Sequence, residues 1–323
     1  MTKNPKQKVN RITKKEMKQA IIRSGYLLEQ RVEPILEKAG YFVTTNEAYL
    51  DPFTGKSREV DISAISAVKI SRGDDFIFSN LICECENNQQ PVVFFVKESP
   101  IAFLFHEEVK SAGIPVQFLE KEISTKKGYK EKEGESFIGL SDFLNFEKYH
   151  HYCHGLVSTQ YCTFSRKKLK GPWIAFHSEA QHDSFTSLIL ALESEIDEYY
   201  SDYVLPEKDE TEYVNVNIYY PVLISQGDLY VAEIKKKELD LKRCEHVQYR
   251  KNYFSKEKQD AYQIDVISES FLPKYLEIVE KEMQKAKAVF QRKKKIVQAS
   301  KEKLIEKARK KKAKEAFREV FEF

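Results

Sequence analysis

Two glutamates stand two positions apart in Leu81-Ile82-Cys83-Glu84-Cys85-Glu86, a stretch that otherwise has the apolar content of a buried strand. Side chains alternate across a strand, so Glu84 and Glu86 leave one face while Leu81, Cys83 and Cys85 leave the other. A second acid-bearing run lies upstream, Arg58-Glu59-Val60-Asp61-Ile62-Ser63-Ala64-Ile65, and Ser71-Arg72-Gly73-Asp74-Asp75 between them has the composition of a turn. An antiparallel hairpin centred near Gly73 sets Asp61 beside Glu84 and Glu86. Three carboxylates at one end of a sheet oppose one another's ionisation, so the cluster either holds protons or binds a cation. Hard oxygen donors with room for water suit Mg2+ or Mn2+ better than Zn2+.

The elements that must position these acids are legible on both sides. Lys15 to Lys38 reads as a helix, with Ile21, Ile22, Tyr26, Leu27, Val32, Ile35 and Leu36 at helical spacing, and Gly40 stops it. Tyr41 to Thr45 reads as the first strand, followed by a turn at Asp51-Pro52-Phe53-Thr54-Gly55. After the glutamates come a strand at Pro91-Val92-Val93-Phe94-Phe95-Val96, a helix over Ile101 to Gly113, and a strand over Ile114 to Leu119.

This arrangement resembles the PD-(D/E)xK nuclease superfamily, whose signature is an acidic residue on the first strand of a hairpin and an acidic-x-Lys tripeptide on the second. The likeness covers about the first 140 residues. It implies a restriction-endonuclease-like α/β fold, a mixed sheet flanked by helices, in the order α-β-β-β-α-β. It also implies that Asp61, Glu84 and the backbone carbonyl of Cys85 hold Mg2+ (or Mn2+), with Glu29 assisting through a water. The chain departs from the family at Glu86, where Lys is usual; some restriction endonucleases carry Glu there, and Glu86 then orients or deprotonates the attacking water. Lys97, which follows the next strand, reads as a solvated strand end, with supply of the missing positive charge as the alternative. Lys56 and Arg58, beside the acidic strand, are expected to contact phosphate. The reaction implied is hydrolysis of phosphodiester bonds in DNA by an endonuclease or exonuclease; no residue separates DNA from RNA as substrate. A reading from another class stands beside it, a catalytically inactive nuclease-fold module for nucleic-acid binding or assembly.

Charge placement agrees with a polyanionic partner. The chain has 323 residues and a net charge of +3. Residues 1–23 carry eight Lys and Arg against Glu16 alone, and residues 281–318 carry sixteen against four Glu. Both ends are basic around an acidic body, which suits DNA electrostatically; solvated Lys-rich ends give the same pattern. Five cysteines without regular spacing fit a reducing cytosol, and the absence of a long apolar run argues against membrane insertion, so a cytoplasmic protein is expected.

The organisation expected is a basic arm over 1–23, a nuclease-like domain over 24–140, a second α/β unit over 141–270 and a long basic helix over 271–323. His150-His151-Tyr152-Cys153-His154 lacks the paired spacing of a zinc site and reads as a polar-aromatic patch. Trp173 reads as a core strand residue. In the second unit Asp183 to Tyr199 has a helical stripe, and Tyr213 to Ser225 forms a hairpin with Leu229 to Lys235 through Gly227-Asp228. Ser270 reads as an N-cap with Pro273 in the first helical turn. Leu272, Leu276, Val279, Met283, Ala286 and Phe290 form a heptad seam that Lys293 breaks and that Ser300 weakens further on. Continuous to about residue 318, this helix would be roughly 70 Å long and would have to project. Its outer part, with Lys293, Lys294 and Lys295, would lie along DNA, form a homodimer or fray in solution.

Overall fold

The computed structural model of the chain describes residues 11–23, 26–71, 73, 75–88, 90–98, 110–114, 117–120, 136–146, 149–150, 156–166, 170–202, 214–255 and 259–303. The chain is a mixed α/β protein: one large mixed sheet with helices against its faces. In chain order the elements are α1 (Lys14–Arg23), α2 (Tyr26–Lys38), β1 (Phe42–Leu50), β2 (Ser57–Lys69), β3 (Phe76–Glu86), β4 (Val92–Glu98), β5 (Ser111–Ile114), β6 (Gln117–Glu120), β7 (Ser136–Gly139) and α3 (Leu140–Leu144). They continue with β8 (Leu156–Ser165), β9 (Ile174–Phe176), α4 (Glu179–Asp202), β10 (Asn215–Ser225), β11 (Leu229–Lys235), β12 (Glu238–Cys244), β13 (His246–Phe254), β14 (Gln259–Ser268) and α5 (Leu272–Arg292). Among the described residues no helix is long and apolar enough to cross a membrane.

The main sheet runs β1-β2-β3-β10-β14-β13-β8-β4-β11-β12. The β2–β3 hairpin forms as expected, in a register from Ile62 opposite Cys83 to Lys69 opposite Phe76. Beyond it, β3 pairs in parallel with β10, and β10 with β14. Strands from before and after residue 140 therefore share one sheet. β10 is apolar on both faces and buried along nearly its whole length, so it needs a strand on either side and a layer over each face. That demand overrides the expected hairpin through Gly227-Asp228: β11 pairs with β4 and β12, not with β10. Gly227 is required there because a Cβ would lie 2.5 Å from the carbonyl oxygen of Asn88.

Two apolar layers flank the sheet. One joins Leu28, Val32 and Leu36 of α2 and Leu276, Val279 and Met283 of α5 to Ile62, Ala64, Leu81 and Cys83. The other joins Phe185, Leu188 and Leu192 of α4 to Ile82, Tyr219, Leu223 and Ile264. Behind the first layer His150 bridges two buried acids, its Nε2 2.9 Å from Asp265 and its Nδ1 2.9 Å from Glu282, while His246 and Tyr275 also hydrogen-bond Asp265. This is the polar-aromatic patch expected at His150; residues 151–155 lie outside the described residues.

Several expectations are corrected. The N-terminal helix is two helices, and the expected stripe is buried only in part: Val32 and Leu36 are buried, with Leu28 beside them, whereas Ile21, Ile22, Tyr26 and Leu27 are exposed. Ser111 to Gly113, expected at the end of a helix, are in β5, which pairs with β10; residues 101–109 lie outside the described residues. β6 pairs with β7 away from the main sheet. Trp173 is exposed under the Arg166 guanidinium rather than in a core. Ser270 is not the N-cap of α5; it lies in a 3-10 turn, and Phe271 precedes the helix.

The long projecting helix is not formed over the described residues. The α5 seam is buried in the chain's own core, so the seam itself is not open to a second copy. At Lys293 the helix is interrupted by one residue, and in the helical stretch 294–303 that follows Val297 and Ser300 are buried. Polar Ser300 on that seam has a structural reason: its Oγ accepts the Leu119 N–H at 2.9 Å. Residues 304–323 lie outside the described residues.

Candidate functional site

One step beyond Ile62–Cys83 in the β2–β3 register, Asp61 stands opposite Glu84. The ladder is irregular at this point. Asn46, across from Asp61 on β1, has φ +52° in the left-handed region, and the β1–β2 pairing passes over it. The apolar faces change over as well, since Ile62 packs in the layer of α2 and α5 whereas Val60 packs in that of α4. Asp61 uses the irregularity: its Oδ2 accepts the backbone N–H of Cys85 at 2.7 Å, in place of a backbone acceptor on β2. Cys85 thus enters the centre through its amide.

Glu84 and Glu86 face α4, as alternation requires. Ser187 Oγ donates to Glu84 Oε1 at 2.6 Å, and Ser184 Oγ donates to Glu86 Oε1 at 2.5 Å. Residues two apart on a strand and three apart on a helix are both separated by about 5–7 Å, so one helical turn carries a hydroxyl for each carboxyl. Tyr49 closes the group, its hydroxyl 3.2 Å from the Ser187 carbonyl oxygen. Ser184, Ser187 and Tyr49 were not singled out from the sequence. The available signal was the α4 stripe, because the two serines flank its buried Phe185 and Leu188.

Burial of this group sets its electrostatics. Burial first, and then the charge of Asp61, pushes Glu84 from the ordinary glutamate value of 4.5 to about 8, against the pull of the Ser187 hydroxyl. Asp61 is also raised by burial, offset by its hydrogen bonds from Cys85 and Glu84. At neutral pH the pair therefore retains a proton that two separated carboxyls would have lost. Glu86 is raised by burial, opposed by Ser184 and Asn88. Glu29, on α2, is raised by burial and then by Asp61, so it lies within electrostatic reach of the pair.

Asp61 and Glu84 are brought together, with Glu86 next along β3 and Glu29 on α2 within electrostatic reach of Asp61. Among the described residues no three His, Cys, Asp or Glu side chains are gathered as a ready-made cage for a metal ion. A two-carboxylate centre still fits Mg2+ or Mn2+, ions that keep several waters and take one or two carboxylates from a protein. The proton held by the pair is also what a divalent cation would displace.

The expected phosphate contacts are placed otherwise. Arg58 Nε donates to Asp51 Oδ2 at 2.7 Å, and Asp51 Oδ1 accepts the amides of Phe53 and Thr54, so the pair clips the turn before β2. Burial raises Asp51, but these hydrogen bonds prevail and hold it at about 2. Lys56 is exposed in that turn. Lys293 does not join Lys294 and Lys295 on an open surface: its Nζ donates to the Phe143 carbonyl at 2.9 Å and lies 4.5 Å from the centre of that ring. Lys97, on β4, is separated from β3 by four strands and cannot serve the acidic pair.

Comparison with known proteins gives no match: no family model, no curated protein and no solved structure is similar to this chain. The class defined by fold and site is thus a mixed α/β protein with a buried acidic pair at the end of its β2–β3 hairpin.

Proposed function

We propose that this chain is a metal-dependent nuclease hydrolysing phosphodiester bonds in DNA, with a restriction-endonuclease-like arrangement around β2 and β3. The observation that carries the reading is the Asp61–Glu84 pair: two carboxyls pressed together under cover, one of them pushed to about 8. Such crowding is costly to a fold and is relieved by a divalent cation. Asp61 and Glu84 would hold Mg2+ or Mn2+. When bound, the cation lowers the pKa of a water and offsets charge building on the phosphate. Glu86, oriented by Ser184 and raised by burial, accepts the proton of that water in place of the family's lysine. Glu29 orders a further water beside Asp61. The basic segments 1–23 and 281–318 hold the DNA backbone electrostatically.

A second reading, an inactive nucleic-acid-binding or assembly module, is favoured by one specific contact. By accepting the Cys85 amide, Asp61 has a structural role that needs no chemistry.

Cleavage of plasmid and linear DNA with Mg2+, compared between wild type and Asp61→Ala/Glu84→Ala, separates the two. Cutting by the wild type alone supports the nuclease. Equal cutting by both proteins refutes the assigned centre, and salt-sensitive binding without cutting supports the module.

A further inference from the structure

β12 is the last strand of the sheet, and among the described residues it pairs only with β11. Alternation sorts this edge into two unlike faces. One carries Glu233, Lys235, Asp240 and Lys242, linked by ion pairs of 2.6 Å (Lys235–Glu233) and 2.9 Å (Lys242–Asp240). The other sets Ile234 opposite Leu239 and Ala232 opposite Leu241, and β4 extends it with Phe95 opposite Ala232. Ile234, Leu239, Leu241 and Phe95 are 75%, 62%, 50% and 38% exposed. A sheet face with this alternation ordinarily lies on a core, and a strand edge leaves a row of backbone donors and acceptors available for another strand.

We propose that β12 pairs antiparallel with β12 of a second copy of this chain, about a two-fold axis through Leu241, so that two sheets become one. The charge pattern selects that axis. It sets Leu241 against the partner's Leu241, Asp240 against the partner's Lys242 and, by symmetry, Lys242 against the partner's Asp240. Leu239 then meets the aliphatic stem of the partner's Arg243, and Glu238 meets the partner's Cys244. Moving the axis one residue either way brings Asp240 against the partner's Asp240, or Lys242 against the partner's Lys242, which cross-strand pairing disfavours. One axis therefore suits both faces: leucines meet on the apolar side and opposite charges on the polar side. An isologous interface of this kind closes on itself as a dimer.

Sedimentation equilibrium of the full chain tests this at concentrations of about 10 µM. The wild type should be a dimer and Leu239→Lys/Leu241→Lys a monomer with unchanged far-UV circular dichroism. Asp240→Lys and Lys242→Asp should each weaken dimerisation about tenfold, because symmetry creates the like-charge contact twice. Their combination, which restores opposite charges across the axis, should recover the dimer. Leu50→Lys, on the opposite edge strand β1, should change nothing. A monomeric wild type overturns the proposal, as does a dimer indifferent to the β12 substitutions or a double charge swap that fails to recover it.

Discussion

Glu84→Gln should stabilise the folded protein near neutral pH while removing its proposed chemistry. The folded chain keeps Glu84 protonated up to about 8, whereas an unfolded chain ionises it near 4.5. Between those values the folded state binds more protons than the unfolded one, so stability is fully present below 4.5 and lost as pH rises toward 8. Asp61, raised in the same direction, adds to that slope. At pH 7 the linkage is worth about 3 kcal/mol at face value, and about 2 kcal/mol after discounting for partial solvent access. Glutamine is nearly isosteric, can donate to Asp61 and can still accept from Ser187. The variant should therefore gain about 2 kcal/mol at pH 7 and well under 1 kcal/mol at pH 5 in urea unfolding. Mg2+ should raise the wild-type midpoint and leave that of Glu84→Gln unmoved, with DNA cleavage abolished. A variant destabilised equally at both pH values would refute the reasoning, because it would mean that Glu84 works as an ionised acceptor in the fold.

Gly227→Ala would place a methyl 2.5 Å from the Asn88 carbonyl oxygen, a backbone atom that cannot swing aside, so chemical unfolding should show a loss of about 2 kcal/mol. Asp265→Asn leaves His150 and His246 without their shared carboxylate and should cost about 3–5 kcal/mol at neutral pH. Asp265 and Glu282 prevail over burial to push His150 from 6.5 to about 10, so the benefit of that pairing is complete below 6.5 and fades toward 10; the gap between wild type and variant should narrow over that range. Ser300→Ala removes the acceptor of the Leu119 N–H and should cost about 1–2 kcal/mol, with faster hydrogen exchange at that amide.

The local parts of the site were legible because they depend on alternation and turn chemistry. The β2–β3 register follows from the acids' distance to the turn near Gly73, and the opposite facing of Cys83 and Glu84 follows from period two. What was not legible is long-range. Nothing near residue 86 says that the next neighbour of β3 is a strand starting at Asn215; only the two-sided apolar content of β10 hints that it needs a central place. Arg58 looked free because its partner Asp51 lies across a turn rather than at a helical or cross-strand interval. Lys293 looked like part of a basic run, but the helix is interrupted there and its amine meets the Phe143 carbonyl. Ser300, which weakened the seam as a sequence pattern, is a buried hydroxyl with a backbone amide to satisfy.

The acidic pair is consequently a property of the whole sheet rather than of the first half of the chain. Asp61 and Glu84 come from one hairpin, but β3 is held along its other side by β10 over eleven residues. The hydroxyls that orient both glutamates come from α4, and α2, which carries Glu29, is fastened to the end of β14 by the two-point Arg31–Glu269 pair. Burial lifts Glu84 to about 8, and α4 covers it there through Ser187. A chain ending near residue 140 would keep every acid named in the motif, yet it would bare the long apolar edge of β3 and return Glu84 to water. Its carboxyls would ionise independently, and the crowding that gives a divalent cation something to relieve would be gone. The arrangement of the pair thus depends on residues as distant in sequence as Ser184 and Ser187, which no acidic motif contains.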